Sequence, residues 1–160
     1  GAAFVKNALL IGLLAILAVA LVLLVRYKNI KIAIPMIITS LSEIFIILGF
    51  SAFFKYNLDL AAIAGIIATV GTGVDDQIVI VDEIFSKEKE FSYKWKQKIK
   101  RAFFIIMAAW AVGVASMLPL LKAGAGLLTG FALVTIAGIS IGVFITRPAF
   151  SAALENIFEE

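Results

Sequence analysis

LDLAAIAGIIATVGTGVDDQIVIVDEIF, residues 58–85, is the stretch on which the architecture depends. It is apolar through Ile67, then passes Ala68, Thr69, Gly71, Thr72 and Gly73 to reach two adjacent acids, Asp75 and Asp76. As a helix it is long enough to cross a hydrocarbon layer of about 30 Å. An ionised carboxyl at that depth costs several kcal/mol, so the segment spans only if both acids are shielded from lipid.

The flanking sequence decides whether it spans. Residues 7–25, 102–121 and 123–146 are uncharged runs of 19, 20 and 24 residues, and residues 32–54 are 23 interrupted only by Glu43. With residues 58–85 as a fifth span, Arg26, Lys28, Lys31, Lys87, Lys89, Lys94, Lys96, Lys98, Lys100, Arg101 and Arg147 share one side, which is 11 of the 14 bases. Only Lys6, Lys55 and Lys122 lie on the other. Without that span the two basic loops would fall on opposite sides. The positive-inside rule then puts the N-terminus outside and the C-terminus in the cytoplasm, across the cell membrane. The expected fold is all-α, a single transmembrane domain over residues 1–160 built as a bundle of five helices.

Composition agrees. Of 160 residues 62% are apolar, against about 45–50% in soluble domains. The absence of Cys and His removes disulfides, thiolate nucleophiles and the commonest zinc ligands. No metal or cofactor is therefore expected, and proton chemistry has only carboxylates to use.

The one long loop, residues 86–101, carries Phe91, Trp95 and Ile99 at i, i+4 and i+8 with lysines between them. That pattern suits a short amphipathic helix over residues 90–101 lying in the headgroup layer, with Tyr93 and Trp95 as interfacial anchors. It favours membrane lipid over nucleic acid as the partner of these bases. Pro35, Pro119 and Pro148 each fall near an expected span boundary.

Three acids sit at membrane depth: Asp75, Asp76 and Glu43. Gly65, Ala68, Thr72, Asp75 and Asp82 fall within one broad helical stripe. The small residues at 65, 68, 71, 72 and 73 would let a neighbouring helix approach closely. Asp75 is the first candidate for a proton relay. Asp76 points about 100° away from it and is the second. Glu43 is the third, with a structural alternative in which Thr39, Ser40, Ser42 or a neighbouring helix hydrogen-bonds its carboxyl. Arg147 is either an end anchor whose charge reaches the interface or a counter-ion for a carboxylate. Asp82 and Glu83 belong near the cytoplasmic interface.

Gly71-Thr-Gly-Val-Asp75-Asp-Gln-Ile-Val-Ile-Val-Asp82-Glu-Ile84 resembles the fourth transmembrane segment of SecD, in the SecD/SecF family of the resistance-nodulation-division superfamily. Arg101-Ala-Phe103, Gly124-Ala-Gly126 and Gly130-Phe-Ala132 agree with it. The resemblance implies the second to sixth spans of such a protein, without the first span and the exported domain. Gly1-Ala2-Ala3 then reads as a cloning scar or cleavage remnant. Asp75 holds the acidic position of the family's Gly-x-x-Val-Asp motif. Asp76-Gln77 replaces the Ala-Asn usual in bacteria and is closer to the archaeal branch.

The resemblance further implies an auxiliary of the Sec translocon that works with SecF and uses the proton gradient to help draw polypeptides outward. The matching Asp serves proton passage at the SecF interface, and Gly71, Gly73, Gly124, Gly126 and Gly130 serve helix packing. Expected partners are SecF, the translocon channel, and the exported polypeptide by way of the missing domain. A lone fragment could dimerise through the face that SecF would cover, and has no activity by itself. The expectation is not an enzyme. Three rivals stay open: a proton-driven lipid or drug transporter of the same superfamily, a purely structural assembly subunit, and an intramembrane aspartyl protease. Gly71-Thr-Gly73-Val-Asp75 lies one residue from the Gly-x-Gly-Asp signature of such proteases, which need a second facing acid.

Overall fold

The structure, a computed structural model, describes residues 2–55, 58–85, 95–123 and 126–158. Its helices are α1 Ala2–Tyr27, α2 Ile30–Phe53, α3 Leu60–Ile84, α4 Trp95–Ala123, α5 Leu127–Ile141 and α6 Arg147–Phe158, the last two joined by a π-helical turn, Gly142–Thr146. Among the described residues five segments are long and apolar enough to cross a membrane: Leu9–Tyr27, Ile30–Phe53, Leu60–Ile84, Trp95–Ala123 and Leu128–Phe158. The chain is an all-α, multi-pass membrane protein.

Local chemistry sets the helix starts. Asn29 caps α2, its side-chain oxygen accepting from the Lys31 N–H at 3.0 Å, and Asp59 caps α3, accepting from the Ala62 N–H at 2.8 Å. Each satisfies a donor that the first turn leaves without an intrahelical partner.

Two boundaries differ from the sequence reading. Residues 95–101 are the first turns of α4, continuous with the rest of that span, and do not form a separate surface helix; residues 90–94, Tyr93 among them, lie outside the described residues. The last span does not stop at residue 146 but runs on to Phe158 with Arg147 inside it. The prolines shift with them: Pro35 and Pro119 lie within α2 and α4. Pro148 comes directly after the π turn, in which the Arg147 N–H bonds to the Gly142 carbonyl five residues back. A proline there has no N–H to donate to the preceding turn, and an irregular turn at that point absorbs the loss.

Packing ranks the helices. Half of the apolar window is buried in α3 and in the α5–α6 segment, but only 6% in α1 and in α4. The first pair is therefore the centre of the bundle, and α1 and α4 leave most of their apolar side chains exposed on its outside. The central pair meets through small residues: a Cβ on Gly65 would stand 3.1 Å from the Phe131 carbonyl oxygen, and one on Gly138 only 2.6 Å from Thr69. Close backbone approach of this kind gives dispersion contact where lipid removes the usual hydrophobic drive.

One end of the bundle is basic and tied together. Asp82 accepts from Arg26 at 3.1 Å and from the Tyr27 hydroxyl at 3.2 Å, and Arg101 pairs with Glu83 at 3.5 Å. Lys98 donates to the Ile84 carbonyl at 3.1 Å, covering an end carbonyl of α3. Phe85 packs its ring against those of Trp95 and Phe158. The Arg26–Asp82 pair is about half exposed, and such pairs contribute at most about 1 kcal/mol each.

If the α3–α5 contact holds the centre, Gly138→Ala should destabilise the bundle by about 1–3 kcal/mol through overpacking. Gly49→Ala, where an added Cβ meets nothing within 4 Å, should be neutral or stabilising. Reversible unfolding in mixed micelles checks this, and equal stability of the two variants would refute it.

Candidate functional site

On α2 the buried residues Ile32, Met36, Ser40, Glu43, Ile47 and Ser51 recur every three or four positions, so Glu43 is carried inward by the stripe it belongs to. The hydroxyls around it are already engaged: Thr39, Ser40 and Ser42 donate to the carbonyls of Pro35, Met36 and Ile38. The Glu43 carboxylate turns instead to the last span. Arg147 Nη2 donates to its Oε2, and the Thr146 hydroxyl lies 3.4 Å from the same oxygen. From α3, Asp76 Oδ2 lies 3.7 Å from Arg147 Nε. One guanidinium thus serves two carboxyls from two other helices.

The group is buried. Arg147 and Glu43 are each 1% exposed and Asp76 is 9%. At 1.5 Å per residue these side chains stand about 12–20 Å from the basic ends of their helices, near the middle of a 30 Å layer. Apolar clusters flank them, with Glu43 lying between Met36 and Ile47 and Arg147 between Ile141 and Phe150.

Two glycines make the room. A Cβ on Gly73 would run into the Arg147 guanidinium, and one on Gly142 would stand 3.1 Å from both Arg147 Nη2 and Glu43 Oε1. Gln77, one helical turn beyond Gly73 on the same face of α3, is fully buried, and neither polar atom of its amide has a hydrogen-bond partner among the described residues.

Asp75 is placed elsewhere. It lies on the exposed side of α3 with Ala64, Ala68, Gly71 and Thr72, and its carboxyl has no ion pair or hydrogen bond among the described residues. The single stripe of the sequence reading is therefore split. Gly65, Thr69 and Gly73 face inward, while Ala68, Gly71, Thr72 and Asp75 face outward, because the 100° step between neighbours spreads a run of small residues round the helix. The structure brings Asp76, Glu43 and Arg147 together and leaves Asp75 outside the group. Of the motif glycines, Gly71 is exposed, Gly130 is buried and Gly126 opens α5 with φ +21°; Gly124 lies outside the described residues. Trp95 is half-buried at the basic end.

Reading the sequence alone missed Gly142, Thr146 and Gln77, and set Arg147 at a membrane boundary. The signal lay on the C-terminal side of Arg147, where Ala149, Phe150, Ala152, Ala153 and Leu154 keep the helix apolar past the charge.

Buried carboxyls held against an arginine inside a bundle of spanning helices define a class, the polytopic membrane proteins that carry charge within the bilayer. Comparison with known proteins narrows it. The family Protein export membrane protein SecD/SecF, C-terminal, matches residues 1–152. The chain is 52% identical over its whole length to the protein-export membrane protein SecD of Methanocaldococcus jannaschii, and 48% identical over 98% of its length to that of Methanothermobacter thermautotrophicus. It spans about 40% of the length of each. The crystal structure of SecDF, a translocon-associated membrane protein from Thermus thermophilus, superposes with a TM-score of 0.81 at 24% identity, over 95% of this chain and 21% of that one. The chain belongs to the SecD/SecF family of protein-export membrane proteins.

Removing Arg147 while its carboxyls remain should be costly. Arg147→Met is expected to lose about 3–5 kcal/mol of stability by leaving a buried charge uncompensated. Adding Glu43→Gln should recover part of that loss, giving a non-additive double-mutant cycle. Unfolding in mixed micelles measures both, and strict additivity would show that the two side chains do not interact.

Proposed function

We propose that this chain is the membrane part of a Sec-translocon auxiliary that, together with SecF, couples proton entry down its gradient to movements of exported domains that draw polypeptides outward. The observation that carries this reading is the two-sided α3. Asp75 stands at membrane depth on an exposed face of small residues, back to back with the buried Asp76–Arg147–Glu43 group. An acid so placed needs a polar partner from another protein, and small residues beside it admit one closely. SecF, the second half of the family's functional unit, is the partner that this face suits. The asymmetry of the bases supports an N-terminus outside and a C-terminus in the cytoplasm. The chain acts on the exported polypeptide and the channel through the exported domain of the longer protein, and itself catalyses no covalent reaction.

The rivals fare less well. A protease needs two carboxyls sharing a water, but the Arg147 guanidinium lies between Glu43 and Asp76, and Asp75 faces away from both. A transporter needs a pocket with placed polar groups. The groove of about 410 Å³ between α1, α2 and α3 is lined by apolar residues such as Leu9, Leu13, Ile44, Ile66 and Val70 and has no polar side chain in its lining to orient a substrate.

Export into vesicles carrying the full-length protein with SecF tests the reading. Asp75→Asn should reduce the proton-gradient-dependent part of export by roughly tenfold or more, as for loss of a proton-transfer group, and leave the gradient-independent part unchanged. Undiminished gradient dependence in that variant would refute it and favour a structural subunit.

A further inference from the structure

We infer that Asp76, Arg147 and Glu43 form an internal proton site within this half of the complex, in which Asp76 takes up and releases the proton and Glu43 is the positioning residue that holds Arg147. The inference rests on the proton-coupled reading above and extends it from the exposed face to the interior.

Charge arithmetic is the first argument. Two carboxylates and one guanidinium sum to −1 in a site 1–9% exposed. A net charge there is costly, and one bound proton makes the group neutral. The second argument is geometric and picks out the carboxyl. Glu43 Oε2 is held by Arg147 Nη2 with the Thr146 hydroxyl beside it, and the residue is almost wholly buried. Asp76 is held only by the longer 3.7 Å contact to Nε and is the more exposed of the two acids. It is also the immediate neighbour of Asp75, whose face opens outward. A third observation is independent of the charges. The buried Gln77 amide, one turn beyond Gly73 on the same face, has no partner for either polar atom among the described residues, so a donor and an acceptor stay unused beside the site.

The step balances simply. Asp75–COOH gives its proton to water at the outward face and the Asp76 carboxylate takes one from water, leaving Asp75 ionised and Asp76 neutral. Neutral Asp76 gives up its ion pair with Arg147, whose charge is then balanced by Glu43 alone. The contact tying α6 to α3 is released while the one tying α6 to α2 stays, and α6 joins α5 through the irregular turn Gly142–Thr146. Proton occupancy thereby decides whether α6 is ion-paired to α3, while the small-residue contact between α3 and α5 stays in place. Among the described residues Asp75 is the further charged group that acts on this site, through its neighbour Asp76. α5 carries none, and Arg26, Lys98 and Arg101 are engaged at the basic end by Asp82, the Ile84 carbonyl and Glu83.

Infrared difference spectra of the full-length protein with SecF in lipid nanodiscs, recorded across pH with no gradient and no export substrate, test this directly. Asp75→Asn serves as the background that silences the outer acid. It should still show a protonated-carboxyl band on acidification; adding Asp76→Asn should abolish that band and Asp76→Glu should restore it. Adding Glu43→Gln instead leaves Arg147 to Asp76 alone and should lower the midpoint of the band by about one pH unit or more. A band that survives Asp76→Asn, or one lost with Glu43→Gln at every pH, places the proton on another group and overturns the proposal. So does a midpoint set by sodium concentration, which would make the ligand a metal cation. Because no export is involved, an intact band alongside unimpaired export by Asp75→Asn would overturn the export reading and leave the internal site standing.

Discussion

A lone charge cannot stay inside a bilayer, and the arrangement of this bundle reflects how Arg147 satisfies that constraint. Its guanidinium reaches one carboxyl on α2 and another on α3, so three spans must converge at one depth. Gly73 and Gly142 leave space that any side chain would fill. The π-helical turn before Arg147 relaxes the ladder where Pro148 has no hydrogen to give. Pairs of this kind add little net stability against apolar packing of the same volume. Their presence at the centre of an otherwise apolar bundle therefore points to a use other than holding it together.

That use is set by the division of α3 into two faces. Inward lie Gly65, Thr69, Gly73, Asp76 and Gln77; outward lie Ala64, Ala68, Gly71, Thr72 and Asp75. The inward face packs α5 against Gly65 and Thr69 and α6 against Gly73 and Asp76. The outward face offers small residues and one acid, the surface on which the proposed partner would pack. Membership of the SecD/SecF family is shown by the match over residues 1–152, and SecF is the complement proposed for this face.

Much of this was legible from the sequence. Apolar runs located four of the five spans, those of α1, α2, α4 and α5, and the basic loops required the segment carrying Asp75 and Asp76 to span. Three acids could be placed at membrane depth because each interrupts an apolar run. Contact at long range was not legible. Arg147 comes after 24 uncharged residues and so marks a boundary to any reading of local hydropathy; carboxyls on two distant helices, Glu43 and Asp76, hold it inward. The ranking of Asp75 over Asp76 came from the stripe it shares with Gly65, Ala68 and Thr72, and periodicity alone could not tell which of two neighbours 100° apart faces the interior. The amphipathic stretch before α4 carried a surface pattern, yet nothing in a pattern shows whether a helix stops or runs on into the span.

The most direct measurement is photo-crosslinking from single positions in the full-length protein in native membranes, with a light-activated side chain replacing Ala68 on the Asp75 face or Phe104, an exposed residue of α4. The two-faced α3 predicts that the probe at position 68 couples to SecF and the probe at 104 couples to lipid. Coupling of the first to lipid alone, with SecF captured only from α4, would contradict the assignment of Asp75 to a protein interface.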